Sequence, residues 1–221
     1  MCGRFAVFAS AEELAQVLGC PGLAAFRVER RFNIAPGQWV ITVRPEHDQR
    51  VPTLARWGLV PSWSKDPEGG PKPINARAEG IISKPTFRGA LHHGRCLIPA
   101  SGFFEWKTTG KTKTPFFIHP MGGGIFIFAG LIDHWGGPDG ELTTCAIITT
   151  EANSLMQPIH DRMPVILGSD GVGAWLDPDN RHPEELLTPD SPYAMETWQV
   201  GGAVGNPRND FPELVEPVTF L

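Results

Sequence analysis

The sequence of 221 residues contains no apolar run approaching the ~20 residues that a membrane-spanning helix requires. Its first residues, Met1-Cys2-Gly3-Arg4-Phe5, lack the basic segment and long apolar stretch of a secretory signal, which predicts a soluble cytoplasmic protein. Cysteine is scarce. Cys2, Cys20, Cys96 and Cys145 form no C-x-x-C pair, and their spacing fits neither a zinc ribbon nor a disulfide framework, so four free thiols are expected. The seven histidines lack H-E-x-x-H or comparable ligand spacing. No metal and no cofactor are therefore expected.

What the chain does have is glycine and proline, 25 and 22 of them, which predict many turns, short elements and few long helices. Hydrophobic residues make up 41%, enough for a sizeable core. The formal charge is −5, which alone argues mildly against a nucleic-acid partner, yet its distribution is uneven. Residues 1–151 carry 16 cations against 13 acids, whereas residues 152–221 carry 3 against 11. Between 69 and 113 the balance is +6, enough to hold a polyanion on an otherwise acidic molecule. A solvated face that happens to be basic accounts for the same counts.

Ser10-Ala11-Glu12-Glu13 is a capping-box signal for a helix through Leu18, stopped by Gly19. Pro85 is placed to open a second helix running to His93 and ending at Gly94. Val40–Val43 and Pro52–Trp57 read as short strands, and Gly58 to Pro73 as a loop. Cys96–Trp106 and Pro115–His119 flank the polar turn Thr108–Thr114, and Ile125–Trp135 and Leu142–Thr150 flank Gly136-Gly137-Pro138-Asp139-Gly140; each is a hairpin signal. Short helices are expected at 152–157, 170–176 and 183–187, with strands near 163–167 and 195–200. Clustered strands and scattered helices favour an α+β fold, its mainly antiparallel strands forming a sheet or barrel. No internal repeat or linker is evident, so one domain over residues 2–221 is expected, and nothing points to an oligomer.

Cys2 carries the most distinctive chemistry. Removal of Met1 exposes a cysteine with a free α-amine, a 1,2-aminothiol. The α-amine has a pKa of about 7.7–8.0, so part of it is neutral near pH 7, and as an ammonium it favours the adjacent thiolate. Such a terminus can capture an aldehyde as an imine that sulfur closes into a thiazolidine. It can equally attack an amide, as in N-terminal nucleophile hydrolases. Glu105 interrupts the aromatic stretch Gly102-Phe103-Phe104-Glu105-Trp106; facing inward, its carboxyl has a raised pKa and serves as an acid/base, and facing outward it is an ordinary strand position. His160 lies in a constrained turn between Pro158 and Pro164, although a lone histidine is more often structural than catalytic.

Several short motifs occur in order: Met1-Cys2-Gly3-Arg4-Phe5, Asn33-Ile34-Ala35-Pro36-Gly37, Arg56-Trp57-Gly58-Leu59-Val60-Pro61-Ser62-Trp63, Asn75-Ala76-Arg77-Ala78-Glu79, Gly102 to Trp106, His160-Asp161-Arg162-Met163-Pro164 and Val204-Gly205-Asn206. Spanning residues 2 to 206, this series closely resembles the SOS response-associated peptidase (SRAP) family of abasic-site sensors, and its bacterial branch in particular. The resemblance implies an α+β fold around a small β-barrel with peripheral short helices, and covalent capture of abasic sites in single-stranded DNA after autocatalytic loss of Met1. It further implies that Cys2 forms the thiazolidine, that Asn75 positions the Cys2 amine and the sugar, that Glu105 is the acid/base, and that His160 is a proton donor. Arg4, Arg77 and Arg162 match phosphate-holding positions, and Trp63 a base-stacking surface. An N-terminal nucleophile peptidase and a non-covalent reader of modified DNA are the alternatives.

Overall fold

A computed structural model describes residues 2–137 and 140–219. The first strand, β1 (Phe5–Val7), leads into α1 (Ala11–Leu18), then β2 (Arg31–Ile34), β3 (Trp39–Glu46), β4 (Gln49–Trp57) and β5 (Asn75–Arg77). α2 (Pro85–His93) precedes the strand-rich middle: β6 (Arg95–Ala100), β7 (Gly102–Thr109), β8 (Thr112–Pro120), β9 (Phe126–Gly137) and β10 (Gly140–Glu151). β11 (Arg162–Pro164), α3 (Ser169–Leu176) and β12 (Met195–Gln199) complete it. Among the described residues, no helix is long and apolar enough to cross a membrane.

Local chemistry explains the helices. Ser10 accepts from the Glu13 backbone while the Glu13 carboxylate accepts from Ser10 N–H, and Gly19 closes α1 in the left-handed conformation that a side chain disfavours. α2 has Pro85 in its first turn and His92 and His93 in its last. The expected α+β barrel is present. β10, β4, β3, β6 and β9 pair in a ring, because β9 returns to β10, so the sheet closes and those edges disappear. All seams are antiparallel except the short β4–β10 one, at Arg56↔Thr144 and Trp57↔Cys145. The apolar runs of β9 and β10 are buried on both faces over most of their length.

A second, antiparallel sheet in the order β12-β8-β7-β1-β2 lies against the barrel. Its faces follow the two-residue strand period. Phe5, Phe103 and Ile118 join the barrel core, whereas Ala6, Phe104 and Phe117 pack with Val200, Val204 and Leu214. Glu105 follows Phe103 by two residues and so points to the barrel side. The 102–106 motif thereby acquires a direction.

Two expectations need correction. Cys96–Trp106 is two strands in different sheets: the chain crosses at Ser101, whose N–H donates to the Ala6 carbonyl and whose hydroxyl accepts from Phe8 N–H. Residues 152–157 form turns in place of a helix, because Asn153 accepts from Met156 and Gln157 for a single turn and Pro158 then disfavours helical geometry before it. The short helix expected at 183–187 is present as a 3-10 helix, Pro183–Leu186. Both hairpins form; Pro138 and Asp139 of the second predicted turn lie outside the described residues.

Gly102 tests the crossing. A Cβ there would lie 2.3 Å from the Phe117 ring and 2.7 Å from the Ile118 carbonyl oxygen. Gly102→Ala is expected to destabilise the fold by about 2–3 kcal/mol, measured as a lowered urea midpoint at unchanged slope.

Candidate active site

Cys2 is fully buried just before β1, where the Asn75 side-chain amide donates to its carbonyl at 2.9 Å. Asn75 comes from β5, which pairs in parallel with the far half of β10 at Ile147. Since Asn75 Nδ2 is the donor, Oδ1 is its remaining polar atom; it is buried with no partner among the described residues. A group bound beside Cys2 would find an acceptor waiting there.

Glu105, only 2% exposed, lies on the same side of the site. Burial raises its carboxyl to about 7, against the usual value near 4.5. The inward-facing reading of Glu105 therefore matches the structure. For Cys2 the expected thiolate bias is overridden. Burial first, and the Glu105 carboxylate second, push the thiol well above its ordinary range, while the Arg4 backbone N–H donating to sulfur opposes them weakly. The sulfur is thus a buried thiol beside a carboxyl group able to exchange a proton near neutrality.

His160 Nε2 stands 3.9 Å from Glu105 Oε2. The opposite nitrogen, Nδ1, accepts from Arg162 N–H at 3.0 Å and lies 2.8 Å from Asp161 Oδ1. Nδ1 thus meets a backbone donor and a carboxylate oxygen at once, and Nε2 is the ring nitrogen that faces Glu105. Burial holds His160 below its ordinary value, which favours the neutral ring over the charged one. Glu105, Trp106, Thr108, Lys113, His160 and Gly205 line an open cleft of about 480 Å³.

The arginines differ in their availability. Arg162, on β11, is buried; its Nη1 and Nη2 donate to the two oxygens of Glu79 at 2.8 and 2.9 Å, and Nη2 also to the Thr149 carbonyl at 2.6 Å. The same hydrogen bonds hold Glu79 below the usual carboxylate range. Arg4 donates through Nη1 to Asn33 Oδ1 and the Val204 carbonyl, both at 2.7 Å, and lies 5.9 Å from the Trp106 ring. Arg77 is exposed on β5 and lines a second cleft with Glu151, Gln157, Asp161 and Arg162. Trp63 is 66% exposed in the loop after β4, between Ser62, whose N–H donates to Asp133, and Ser64, whose carbonyl accepts from the Trp135 indole. No contact joins it to the Cys2 group among the described residues.

Two positioning residues escaped the sequence reading. Asn33 is fully buried and its amide lies 2.7 to 3.2 Å from the carbonyls of Val204, Asn206 and Asn209, tying the loop that lines the cleft to Arg4. Glu79 occupies the Arg162 fork. A polar residue opening the otherwise apolar Asn33-Ile34-Ala35-Pro36 was the available signal for the first; nothing local marks the second. Among the described residues, no three His, Cys, Asp or Glu side chains are placed to hold a metal, and all four cysteines are free and buried.

The elevated Glu105 pKa has a stability consequence. The unfolded chain releases this proton near pH 4.5 and the folded chain near 7, so folding stability falls as pH rises between those values and stays lowered above them. Glu105→Gln removes the loss. It is expected to raise Tm relative to the parent at pH 8 by several degrees, for a difference of up to about 3 kcal/mol, and by much less at pH 4.5. Calorimetric melts across that interval provide the check.

The SOS response associated peptidase (SRAP) family profile matches residues 1–207. The chain is 42% identical over 222 residues to Abasic site processing protein YoqW of Bacillus subtilis (strain 168), covering 98% of this chain and 99% of the relative. It is 31% identical over 234 residues to Abasic site processing protein YedK of Escherichia coli (strain K12), covering 99% and 100%. A crystal structure of a protein from Bacteroides thetaiotaomicron superposes with a TM-score of 0.85 at 26% identity, covering 99% of this chain and 100% of that one. With a family profile and full-length relatives matched across the site just described, the chain belongs to the SRAP family.

Proposed function

We propose that the protein processes abasic sites in single-stranded DNA by becoming covalently attached to them through Cys2. The observation that carries this reading is a buried carboxyl titrating near pH 7, Glu105, that acts electrostatically on the tethered Cys2 and lines one cleft with His160. The names of the relatives, all abasic site processing proteins, agree with it.

The chemistry starts with hydrolysis of the Met1–Cys2 amide, in which water adds to the Met1 carbonyl and the leaving Cys2 nitrogen takes a proton. Glu105 is the acid/base for that transfer. Met1 itself lies outside the described residues. The freed amine then attacks the aldehyde of the ring-opened deoxyribose, and the carbinolamine loses water to give an imine. The Cys2 sulfur adds to the imine carbon, its proton passing to the imine nitrogen, and a thiazolidine closes. One water is released for each sugar captured, with no oxidant or reductant.

Each side chain supports one part of this sequence. Asn75 holds the Cys2 carbonyl and offers Oδ1 to the amine or to a sugar hydroxyl. Glu105, near equal populations of acid and carboxylate at neutral pH, protonates the departing hydroxyl and then takes the thiol proton. His160 presents Nε2–H to the ring oxygen during sugar opening and crosslink reversal. Arg77 is open to a phosphate, Arg4 and Arg162 shape the walls of the groove, and Trp63 provides a stacking face.

Incubation with single-stranded DNA bearing one abasic site, followed by a denaturing gel, tests the reading. A retarded band that disappears in Cys2→Ser, or when the α-amine is blocked by an uncleaved tag, is the expected result. Peptide turnover without such a band would favour a hydrolase, and a shift confined to native gels a non-covalent reader. Glu105→Gln is expected to slow capture about 10²–10⁴-fold in single-turnover measurements and to retain Met1, detected by mass spectrometry of the intact chain. An unchanged capture rate would remove Glu105 from the mechanism.

A further inference from the structure

The β7–β8 hairpin extends from the site as a strip of hydrogen-bond donors. From 107 to 114 the sequence is Lys-Thr-Thr-Gly-Lys-Thr-Lys-Thr: three lysines, four threonines, one glycine and no acid. The strands stay paired to the tip, Lys107↔Thr114, Thr108↔Lys113 and Thr109↔Thr112. Gly110, at φ +61°, begins a two-residue turn of the kind whose twist suits a hairpin. The arm is therefore ordered by its own ladder. Lys107, Lys111 and Lys113 are exposed, and among the described residues none has an ion-pair partner and no side chain of the arm donates a hydrogen bond. Elsewhere in the basic stretch two cations are already engaged, Lys72 with Glu68 and buried Arg95 with the carbonyls of Trp175, Leu91 and Asp177, whereas Arg77, Lys84 and Arg88 are exposed.

The arm is continuous with the site. Glu105 and Trp106 form its base, and Thr108 and Lys113 line the cleft together with His160. Lys107 shares the strand face of Glu105, whereas Lys113 lies on the face of Trp106 and Thr108, so cations flank both sides and the tip. An unpaired lysine with neighbouring hydroxyls suits phosphate oxygens, because such contacts need donors and no base-specific geometry. We infer that the β7–β8 hairpin is a phosphate-binding arm that grips the nucleic-acid strand as it leaves the lesion cleft. The inference rests on the reading of the cleft as an abasic-site pocket. It adds a binding surface that holds the flanking strand regardless of base sequence, so that capture of one sugar is supported by contacts several nucleotides away.

The experiment measures equilibrium binding of a fluorescent single strand carrying a tetrahydrofuran abasic analogue, which has no aldehyde and cannot be crosslinked. Affinity is recorded from low to moderate salt. The triple variant Lys107→Gln, Lys111→Gln, Lys113→Gln is expected to lose about 0.7 per lysine, roughly 2 in all, from the slope of log affinity against log salt. The charge-preserving triple variant Lys107→Arg, Lys111→Arg, Lys113→Arg is expected to keep the parental slope. A glutamine variant with the parental slope overturns the inference. So does an arginine variant that loses as much as the glutamine one. Because the probe has no aldehyde, failure of covalent capture by the parent protein would count against the proposed chemistry and leave this measurement intact.

Discussion

Glu105 is an ionisable group at the end of the buried, apolar half of β7. β7 turns Phe103 toward the barrel and Phe104 toward the C-terminal segment, so the strand period carries the carboxyl inward, where it is almost fully buried. Burial disfavours the ion and brings the titration to about 7. An exposed carboxylate would stay ionised at neutrality and could not serve readily as an acid; a wholly neutralised one could not serve as a base. The intermediate position makes both roles available, and the fold bears a stability cost for it. Cys2 depends on this arrangement because the same burial protonates its sulfur, leaving the thiol reliant on a neighbour for proton removal.

The electrostatics of the surface do not follow from charge counts alone. The +6 segment between 69 and 113 suggests one continuous basic wall, yet the structure divides it. Arg95 turns inward to carbonyl groups, Lys72 joins Arg56 on Glu68, and Arg77 and the three hairpin lysines remain open. A cation satisfied by a buried carbonyl contributes little to an external field, and an exposed one beside an acid is largely compensated. What remains lies on β5, on the β7–β8 arm and at α2, where Lys84 and Arg88 are exposed. An acidic protein can therefore present a basic path without a basic composition.

Much of this was legible in the sequence wherever the cause is local. The capping box of α1, the proline that opens α2 and the two hairpins each depend on residues within a few positions of one another. β1, β2 and β5 were not legible, because strands of three or four residues exist only by pairing with distant partners such as Phe103 or Ile147. The crossing at Ser101 was hidden by an apolar run that continues from one sheet into the other. Within the site, the aromatic neighbours of Glu105 disclosed its behaviour, since strand alternation is local. Asn33 and Glu79 act across the fold, and Arg4 meets Val204 through a contact spanning 200 positions. One-dimensional spacing carries no record of such a meeting.

Arg162 joins these levels. Its side chain is immobilised by Glu79 and Thr149, and an arginine fixed at three oxygen atoms also fixes its own backbone. That backbone supplies the N–H that donates to His160 Nδ1, on the ring whose Nε2 faces Glu105. Loss of the guanidinium would free the peptide group as well as the charge. The ring would then keep Asp161 as its partner at Nδ1 and lose the backbone donor that fixes it. An effect of Arg162 on chemistry therefore requires no direct contact with a phosphate. The side chain already bears on His160 through one main-chain hydrogen bond.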